Sequence, residues 1–352
     1  MGSDAGAPPP SDAERQMKVV ARFAHQARLR APCARSSHGV SSARSSLYVL
    51  GGEAIARTPF PDMTLHVLPL TEPAAEWRTV AAPPGGSPPP RIAHAQAVVG
   101  GELLVFGGRA GVAMDESAMS DLWSLQLDTE TWAPVAPASG SPPSPRSFHA
   151  ATAAGEKMYV FGGVGDAGRL ADLHEFDATS RAWRRLPDPP SDVVGRGGAT
   201  LEATTDGKSL WLVGGFAGHE TRDVLKYDVR AETWARAPSE WLRPRSVAAS
   251  FSVGGVVFVF GGEVSPSDRG HEGAGGFADD LIAFDGATGA PLHVEMVSEA
   301  PAGSHPRLPS ARGWGGAAAT SDSSAALFGG LAGDDEAPTR LGDTWTVSVD
   351  LA

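Results

Sequence analysis

Short apolar runs recur along this chain, and each of them ends at a pair of glycines. The runs Leu47–Leu50 and Val256–Phe260 are typical, and their length suits a short β-strand rather than a helix. Six such pairs stand 47 to 68 residues apart: Gly51-Gly52, Gly107-Gly108, Gly162-Gly163, Gly214-Gly215, Gly261-Gly262 and Gly329-Gly330. Repetition with a period of about 50 residues predicts a repeat fold with one supersecondary unit per repeat.

The third repeat shows how one unit is built. A strand of small residues, Arg146–Ala153, is followed after a turn by the apolar strand Met158–Phe161. A third strand, Asp172–Phe176, alternates apolar and polar residues, and a fourth carries Trp183. Four short antiparallel strands per unit are typical of a kelch β-propeller blade. The sequence therefore predicts an all-β fold, a six-bladed kelch β-propeller with four antiparallel strands per blade.

Other residues recur with the glycine pairs. An arginine opens each blade: Arg35, Arg91, Arg146, Arg196, Arg245 and Arg312. Four blades carry a tryptophan near their end: Trp77, Trp132, Trp183 and Trp234. Three blades carry a histidine three residues after the arginine: His38, His94 and His149. Because a catalytic residue would not be needed in every blade, we interpret most of these arginines, and these tryptophans and histidines, as structural.

The ends of the chain suggest how the ring closes. The last unit offers three strands, and we expect the fourth to come from Lys18–Phe23, which would remove an open sheet edge. Residues 1–16 are rich in Gly, Ala, Ser, Pro and Asp and are expected to form a disordered tail, with a single propeller over residues 17–352. The stretch from Arg15 to Ser46 has no acidic residue, so an organelle transit segment before Arg35 is an alternative to a cytoplasmic location.

Composition narrows the range of partners. The formal charge of −12 argues against nucleic acid and anionic membrane surfaces, both of which select basic proteins. No run approaches the roughly 20 apolar residues of a membrane span. The single cysteine, Cys33, excludes an intrachain disulfide and any metal site built from several cysteines.

The longest loop follows the fifth glycine pair and holds the strongest chemical signal. Glu263, Asp268, His271 and Glu272 bring carboxylates and an imidazole together, a donor set that suits Fe²⁺ or Mn²⁺. A solvated acidic loop whose histidine caps a turn is the competing interpretation. In an up-and-down blade this loop lies on the same face as the blade-opening arginines. Other residues expected on that face are Glu53, Arg109, Arg169, His219 and Glu220.

Several motifs resemble the plant kelch proteins that direct glucosinolate breakdown, namely the nitrile-specifier, epithiospecifier and thiocyanate-forming proteins. The resemblance covers about Arg35 to Val349. Its landmarks are Leu47-Tyr-Val-Leu-Gly-Gly-Glu53, Phe106-Gly-Gly-Arg109, Pro145-Arg-Ser-Phe-His149, Phe161-Gly-Gly-Val164 with Arg169-Leu, Arg196-Gly-Gly-Ala199, Gly214-Gly-Phe216, Phe260-Gly-Gly-Glu263-Val with Gly-His271, and Arg312-Gly-Trp314. The last two are far more specific than the glycine pairs.

The resemblance implies a ferrous iron site and a sulfur chemistry. Glu263 and His271 match two iron ligands directly, whereas Ser267 stands where several members carry the third, an aspartate, and Asp268 follows one place later. The implied activity diverts the thiohydroximate-O-sulfate that a thioglucosidase releases from a glucosinolate, giving a nitrile or an epithionitrile.

The resemblance also implies the pocket and its partners. Glu53, Arg109 and Arg169 would act on the substrate, with the arginines holding its sulfate, and Phe148 and Trp314 would shape the pocket. The partners would be an anionic sulfur-containing small molecule and the thioglucosidase that supplies it.

Three other functions stay open on the sequence. A non-catalytic kelch module for protein interaction is the main alternative, because the fold alone does not decide function. A copper–radical oxidase would have to use Cys33, Tyr48, Tyr159 or Tyr227, all of which stand in ordinary strand contexts. A sugar-acid epimerase would draw on the arginines.

Overall fold

The strands of the repeats form small antiparallel sheets. The structure is a computed structural model that describes residues 18–71, 75–83, 85–111, 117–301, 303 and 306–351, so the tail predicted over residues 1–16 lies outside the described residues. The strands are β1 (Lys18–His25), β2 (Gly39–Ala43), β3 (Ser46–Leu50), β4 (Glu53–Ile55), β5 (Thr58–Pro59), β6 (Leu65–Pro69), β7 (Arg78–Val80), β8 (Ala95–Val99), β9 (Glu102–Phe106), β10 (Leu122–Gln126), β11 (Thr131–Pro134), β12 (Ala150–Ala154), β13 (Lys157–Gly165), β14 (Gly168–Asp177), β15 (Ala182–Arg185), β16 (Thr200–Ala203), β17 (Ser209–Val213), β18 (Val224–Asp228), β19 (Thr233–Arg236), β20 (Ala249–Val253), β21 (Val256–Phe260), β22 (Glu263–Ser265), β23 (Gly276–Phe277), β24 (Leu281–Asp285), β25 (Pro291–Ser298), β26 (Gly316–Ser321), β27 (Ser324–Ala332) and β28 (Thr339–Leu351).

The sheets are those of a kelch propeller. Four separate sheets have four strands each, in the orders β2-β3-β6-β7, β8-β9-β10-β11, β12-β13-β14-β15 and β16-β17-β18-β19. One further sheet has eight strands, β20-β21-β24-β25-β1-β28-β27-β26. The first strands of successive sheets contact one another and so surround a common axis. A 3₁₀ turn at Gly270–Glu272 is short, and among the described residues no helix is long and apolar enough to cross a membrane.

Strand β1 joins the two ends of the chain. It pairs antiparallel with β28 and parallel with β25, which merges the last two sets of four strands into the eight-stranded sheet. Val19, Ala21 and Phe23 point into the core of that sheet and are at most 1% exposed. The strand expected at Lys18–Phe23 is therefore present and extends to His25.

Buried arginines hold each sheet to its glycine pair. Each blade-opening arginine donates to the carbonyl of the first glycine of its own blade, and five of them also pair with a carboxylate on or beside the third strand. These pairs are Arg91–Asp121, Arg146–Asp172, Arg196–Asp223, Arg245–Asp280 and Arg312–Asp343. Their guanidinium groups are at most 2% exposed, so the carboxylate and the carbonyl replace water around a buried charge.

Arg35 departs from this pattern. It donates to Gly51 O at 2.9 Å, but its second amino group meets His66 Nε2 at 3.2 Å and its face covers the ring of Phe60. Burial lowers the pKa of Arg35 to about 10. The first blade therefore holds its arginine with an imidazole and an aromatic ring in place of a carboxylate.

A closed ring of backbone hydrogen bonds surrounds the axis. In each bond, the N–H of the residue two places after a blade-opening arginine donates to the carbonyl oxygen of the equivalent residue in the preceding repeat. The six links are Ser37 N–H to Trp314 O, Ala93 to Ser37, Phe148 to Ala93, Gly198 to Phe148, Val247 to Gly198 and Trp314 to Val247. All six residues have φ between 49° and 60°. Five of them are not glycine, so the ring imposes a left-handed backbone that these residues disfavour.

Two hairpins extend farther than the sequence predicts. In the third and sixth units the second strand continues beyond the glycine pair, so that β13 reaches Gly165 and β27 reaches Ala332. The register shifts at the first glycine of each pair. Glycine tolerates the positive φ that this shift requires, so the pair bends the strand without ending it.

Glu202 gives the stability of the fold a pH dependence. Its Oε2 accepts a hydrogen bond from Ser250 Oγ at 2.8 Å, and burial raises its pKa to about 7. A carboxyl with a raised pKa contributes stability that is present below its ordinary pKa of 4.5 and is lost as the pH rises through 7. We expect wild type to lose roughly 2–3 kcal/mol relative to Glu202→Gln between about pH 5 and pH 8, measured by urea unfolding. Identical pH slopes for the two proteins would contradict this assignment.

Candidate functional site

A cavity of about 270 Å³ lies over the hydrogen-bonded ring, on the face that carries the glycine-pair loops. It is lined by residues of the first, third, fourth, fifth and sixth repeats: Ser36, Glu53, Phe148, Val164, Arg169, Gly197, Gly198, Phe216, Ser246, Val247, Glu263, Pro266, Ser267, Gly270, His271, Gly273, Trp314 and Leu331. The lining includes four of the five residues predicted for the pocket, namely Glu53, Phe148, Arg169 and Trp314. It also includes two of the three predicted metal ligands, Glu263 and His271.

The residue after each glycine pair is held at the rim of the axis by the same backbone bridge. It pairs with the residue after the blade-opening arginine, as in Ser36 with Glu53 and Ser246 with Glu263. Around the ring these positions are Glu53, Arg109, Val164, Phe216, Glu263 and Leu331. The repeat thus fixes the backbone of all six positions, and the side chains alone distinguish one blade from another.

Phe148 and Trp314 form the aromatic wall of the cavity. Both belong to the ring of positive φ, and both line the cavity. Their rings meet edge to face at 5.6 Å, and His271 packs against both, at 5.8 Å from Phe148 and 5.1 Å from Trp314. The wall therefore fixes the plane of the imidazole.

Glu53 is the most enclosed charged group of the site. It is 1% exposed, and its Oε1 accepts from His271 Nε2 at 2.7 Å and from the hydroxyls of Ser37 at 3.0 Å and Ser36 at 3.2 Å. The Arg57 N–H donates to Oε2 at 2.6 Å. Burial opposes the charge, but the His271 contact and these hydrogen bonds outweigh it and hold the pKa of Glu53 below its ordinary value.

The pKa of Glu263 is shifted in the opposite direction to that of Glu53. Burial raises the pKa of its carboxyl to about 7, and the nearby carboxylates of Glu220 and Asp335 raise it further against hydrogen bonds from the N–H groups of Ser267 and Gly275. Glu220 is itself 8% exposed, and its Oε1 has no hydrogen-bond partner among the described residues. Burial and like charge therefore favour the neutral, protonated form of Glu263 on this side of the cavity.

The loop that carries Glu263 and His271 is fastened by a residue of the sixth repeat. Asp335, between β27 and β28, accepts from the Ser267 hydroxyl through Oδ1 and from the Asp268 N–H through Oδ2 at 3.1 Å. Its carbonyl accepts from Arg269 Nη1 at 2.6 Å. A carboxylate thus contacts position 267 of the loop, but it is supplied by another blade.

Three arginines surround the cavity in different ways. Arg169 lines it and lies over the Phe216 ring at 4.9 Å. Arg109 is 9% exposed, donates to Ser147 Oγ at 2.6 Å and lies 5.8 Å from the Phe148 ring, so it supports the wall from behind. Arg340, on β28, stands 3.9 Å from Glu53 Oε1 and is 10% exposed. In the extended hairpins Arg340 pairs with Leu331 as Arg169 pairs with Val164, so the two occupy equivalent positions in the third and sixth repeats.

The predicted iron ligands do not assemble in this conformation. Glu263 and His271 line one cavity, yet His271 is hydrogen-bonded to Glu53, and Asp268 is exposed and does not line it. Within the described ranges no group of three or more His, Cys, Asp or Glu side chains is arranged to hold a metal ion. The residues as placed therefore do not fit a three-ligand iron site.

Sequence reasoning missed Ser36, Ser37, Asp335 and Arg340. Asp335 and Arg340 act across repeats, on Ser267 and Glu53, whereas Ser36 and Ser37 contact Glu53 within the first repeat. The aspartates that pair with the blade-opening arginines were also missed, although they carried a signal, since an aspartate stands directly before Leu122, Leu173, Val224 and Leu281 and two places before Trp345.

Comparison with known proteins agrees with this fold. The family model described as the KLHDC2/KLHL20/DRC7 Kelch-repeats domain matches residues 37–262. The chain is 29% identical over 310 residues to the N-(sulfonatooxy)prop-2-enimidothioate sulfolyase of Thlaspi arvense, covering 80% of this chain and 83% of that protein. The resemblance to specifier-type proteins is thereby confirmed as a similarity.

Other relatives are matched over about half of their own length or less. The acyl-CoA-binding domain-containing protein 5 of Arabidopsis thaliana is 28% identical, over 75% of this chain and 43% of its own length. The human Kelch domain-containing protein 3 is 31% identical, over 54% of this chain and 52% of its own length. A solved structure titled "Structure of YjhT" superposes with a TM-score of 0.70 at 19% identity, covering 92% of this chain and 99% of that one, which supports the fold alone.

Gly275 is required for the position of the Glu263 carboxylate. A Cβ at this position would collide with the Ser265 carbonyl, Glu263 Oε1 and the Ser267 nitrogen, whereas at the neighbouring Gly276 the nearest atoms would lie 3.1 and 3.9 Å away. We expect Gly275→Ala to lower the free energy of unfolding by about 1–3 kcal/mol and to open the loop to protease. Gly276→Ala is the matched control, and equal melting temperatures and cleavage rates for both variants would contradict the prediction.

Proposed function

We propose that this chain, which belongs to the KLHDC2/KLHL20/DRC7 Kelch-repeats family, is a specifier-type sulfolyase. Its substrate would be an O-sulfated thiohydroximate, the aglucone that a thioglucosidase releases from a glucosinolate, or a related sulfur compound. One observation carries the proposal: a single cavity combines an arginine at its edge, two buried carboxylates and an aromatic wall. In support, a relative matched along 80% of the chain is named as a sulfolyase.

The cavity offers separate contacts for the sulfate and for the apolar side chain of such a molecule. The guanidinium of Arg169 would take the sulfate, because its planar fork matches an oxyanion. Phe148, Trp314 and Val247 would hold the apolar side chain. The contact between Arg169 and the sulfate would thereby fix the orientation of the substrate in the cavity.

The reaction balances without a further reactant. The N–O bond breaks, and both of its electrons leave with sulfate. The C–S bond breaks as its electrons form the third C–N bond, which gives a nitrile and a released sulfur atom. The substrate carries two negative charges, and sulfate removes both. An alkenyl side chain that captures the sulfur gives an epithionitrile instead.

The residues of the chain would orient and shield this step. His271, held by Glu53 and the aromatic wall, would lie against the reacting carbon–sulfur unit. Enclosure by Phe148 and Trp314 would limit water and the competing rearrangement to isothiocyanate. Arg109 would act through Phe148, as a positioning residue.

The resemblance implies ferrous iron as a cofactor, which would require the candidate ligands to be arranged differently from the placement described above. Support comes from Glu263 and His271, which line the same cavity. Bound iron would supply a Lewis acid for the substrate sulfur.

We further propose six blades and a cytoplasmic location. The blade count takes each half of the eight-stranded sheet as one blade, in keeping with the six links of the backbone ring. Retention of the N-terminal segment in the mature chain is supported by β1, since cleavage before Arg35 would remove a buried strand.

The test is nitrile formation from allylglucosinolate and a thioglucosidase, with and without anaerobic Fe²⁺. We expect wild type to divert the product from isothiocyanate to nitrile. Arg169→Ala should lower the nitrile yield at least tenfold, because it removes the sulfate contact. Arg185→Ala, which removes an exposed arginine paired with Asp188, is the matched control and should match wild type.

Two outcomes would count against the proposal. Unchanged isothiocyanate with wild-type protein, with and without iron, would overturn the lyase and favour a kelch interaction module. Equal losses in Arg169→Ala and Arg185→Ala would remove Arg169 from the site.

A further inference from the structure

Arg340 is a largely buried cation whose hydrogen-bond donors are unused. Its side chain is 10% exposed, and its Nη2 lies 3.9 Å from Glu53 Oε1, too far for a hydrogen bond. Its Nε and Nη2 groups are buried and have no hydrogen-bond partner among the described residues. Because a buried donor without an acceptor costs free energy, hydrogen bonding does not explain why an arginine stands at this position.

The nearest oxygen of Glu53 has no lone pair left for these donors. Oε1 accepts from His271 Nε2 at 2.7 Å and from the hydroxyls of Ser37 at 3.0 Å and Ser36 at 3.2 Å. A carboxylate oxygen offers about two lone-pair sites, so these donors saturate it. Arg340 therefore acts on Glu53 through its charge, and water screens little between two groups that are so deeply buried.

The charge of Arg340 changes which ligands the cavity wall can tolerate. Glu53 lines the cavity, and the donors around its carboxylate stabilise the ionised form. An ionised carboxylate in the wall repels an anionic ligand, and a positive charge 3.9 Å away offsets that repulsion. Glu53 can thereby remain the hydrogen-bond partner of His271 without excluding anions from this side of the cavity.

Arg340 and Arg169 occupy equivalent positions on opposite sides of the axis. In the extended hairpins Arg340 pairs with Leu331 as Arg169 pairs with Val164, and both of these apolar partners line the cavity. The backbone ring separates the third repeat from the sixth by three links in either direction, so the two hairpins stand opposite each other across it. One arginine is thus supplied on each of two opposite sides of a single cavity.

We propose that Arg340 is a positioning residue: by offsetting the charge of Glu53, it lets the cavity hold a ligand with two separated negative groups, one at Arg169 and one beside Glu53. This inference deepens the proposed function and rests on its assignment of an oxyanion to Arg169. In the O-sulfated thiohydroximate the two groups are the sulfate and the thiolate. Arg340 is not among the residues that line the cavity, so it acts on the ligand through Glu53.

Two unreactive sulfonates test this role without turnover. Propane-1,3-disulfonate carries two negative groups and propane-1-sulfonate carries one, and the binding of each is measured by calorimetry. We expect wild type to bind the disulfonate about tenfold or more tighter than the monosulfonate. Arg340→Gln should abolish this preference, because the uncompensated charge of Glu53 then repels the second sulfonate. The monosulfonate, held at Arg169, should bind to Arg340→Gln within about twofold of its affinity for wild type.

Further variants distinguish the charge of Arg340 from a structural role, after circular dichroism has shown that each is folded. Arg340→Lys keeps the positive charge without the planar guanidinium and should retain the preference. The double variant Glu53→Gln/Arg340→Gln removes both charges and should regain the preference that Arg340→Gln loses, because no carboxylate is left to compensate. Arg181→Gln removes an arginine that pairs with Glu102, neither of which lines the cavity, and this matched control should bind as wild type does.

The outcomes separate this inference from the lyase. Loss of the preference in Arg340→Gln and its return in the double variant support the inference, even if no nitrile is formed. Equal affinities of wild type for the two sulfonates, or no binding of either, overturn it. A preference that survives in Arg340→Gln, is lost in Arg340→Lys or fails to return in the double variant also overturns it. Nitrile formation by wild type, measured separately, would leave the lyase standing in each of these cases.

Discussion

The closed ring of backbone hydrogen bonds around the axis is the constraint on which the rest of the structure depends. Each repeat contributes one residue at positive φ, and in five of six repeats that residue has a side chain that disfavours this conformation. A ring can impose it because every member is held from both sides. The buried arginines then tie each glycine pair to its own blade, and β1 keeps the two ends of the chain together. The site inherits its geometry from this ring, because Phe148 and Trp314 are two of its members.

In this molecule the backbone geometry repeats from blade to blade, whereas the side chains differ between blades and determine the chemistry of the site. The six bridges that follow the glycine pairs are alike, so the chain presents six equivalent positions at the rim. Only their occupants differ: carboxylates at Glu53 and Glu263, an arginine at position 109, and apolar residues elsewhere. The two acids then diverge through their neighbours. Serine hydroxyls and an imidazole lower the pKa of Glu53, whereas burial and other carboxylates raise that of Glu263. One scaffold thereby makes two different carboxyl groups within a single cavity.

The repeat could be predicted from the sequence because its signal is periodic. Glycine pairs, blade-opening arginines and apolar runs recur, and the strands, the closing segment and the shared face follow from them. The residues after the glycine pairs were found for the same reason. What could not be predicted is contact between blades. Glu53 meets His271 and Arg340, and Ser267 meets Asp335, only because the ring brings distant loops to one axis. No local pattern marks such pairs, so the loop was interpreted from its own residues alone, and the partner that engages His271 was missed.

Asp335 shows how one repeat can order a loop that belongs to another. The residue that contacts Ser267 is a carboxylate supplied by the sixth repeat. Asp335 also accepts from the Asp268 N–H, and its carbonyl accepts from Arg269, so one residue holds three successive residues of the loop. The carboxylate that meets this segment therefore comes from another blade, although the loop has acids of its own. Because that carboxylate is engaged with Ser267 and the backbone, it orders the base of the loop and thereby the segment that leads to His271.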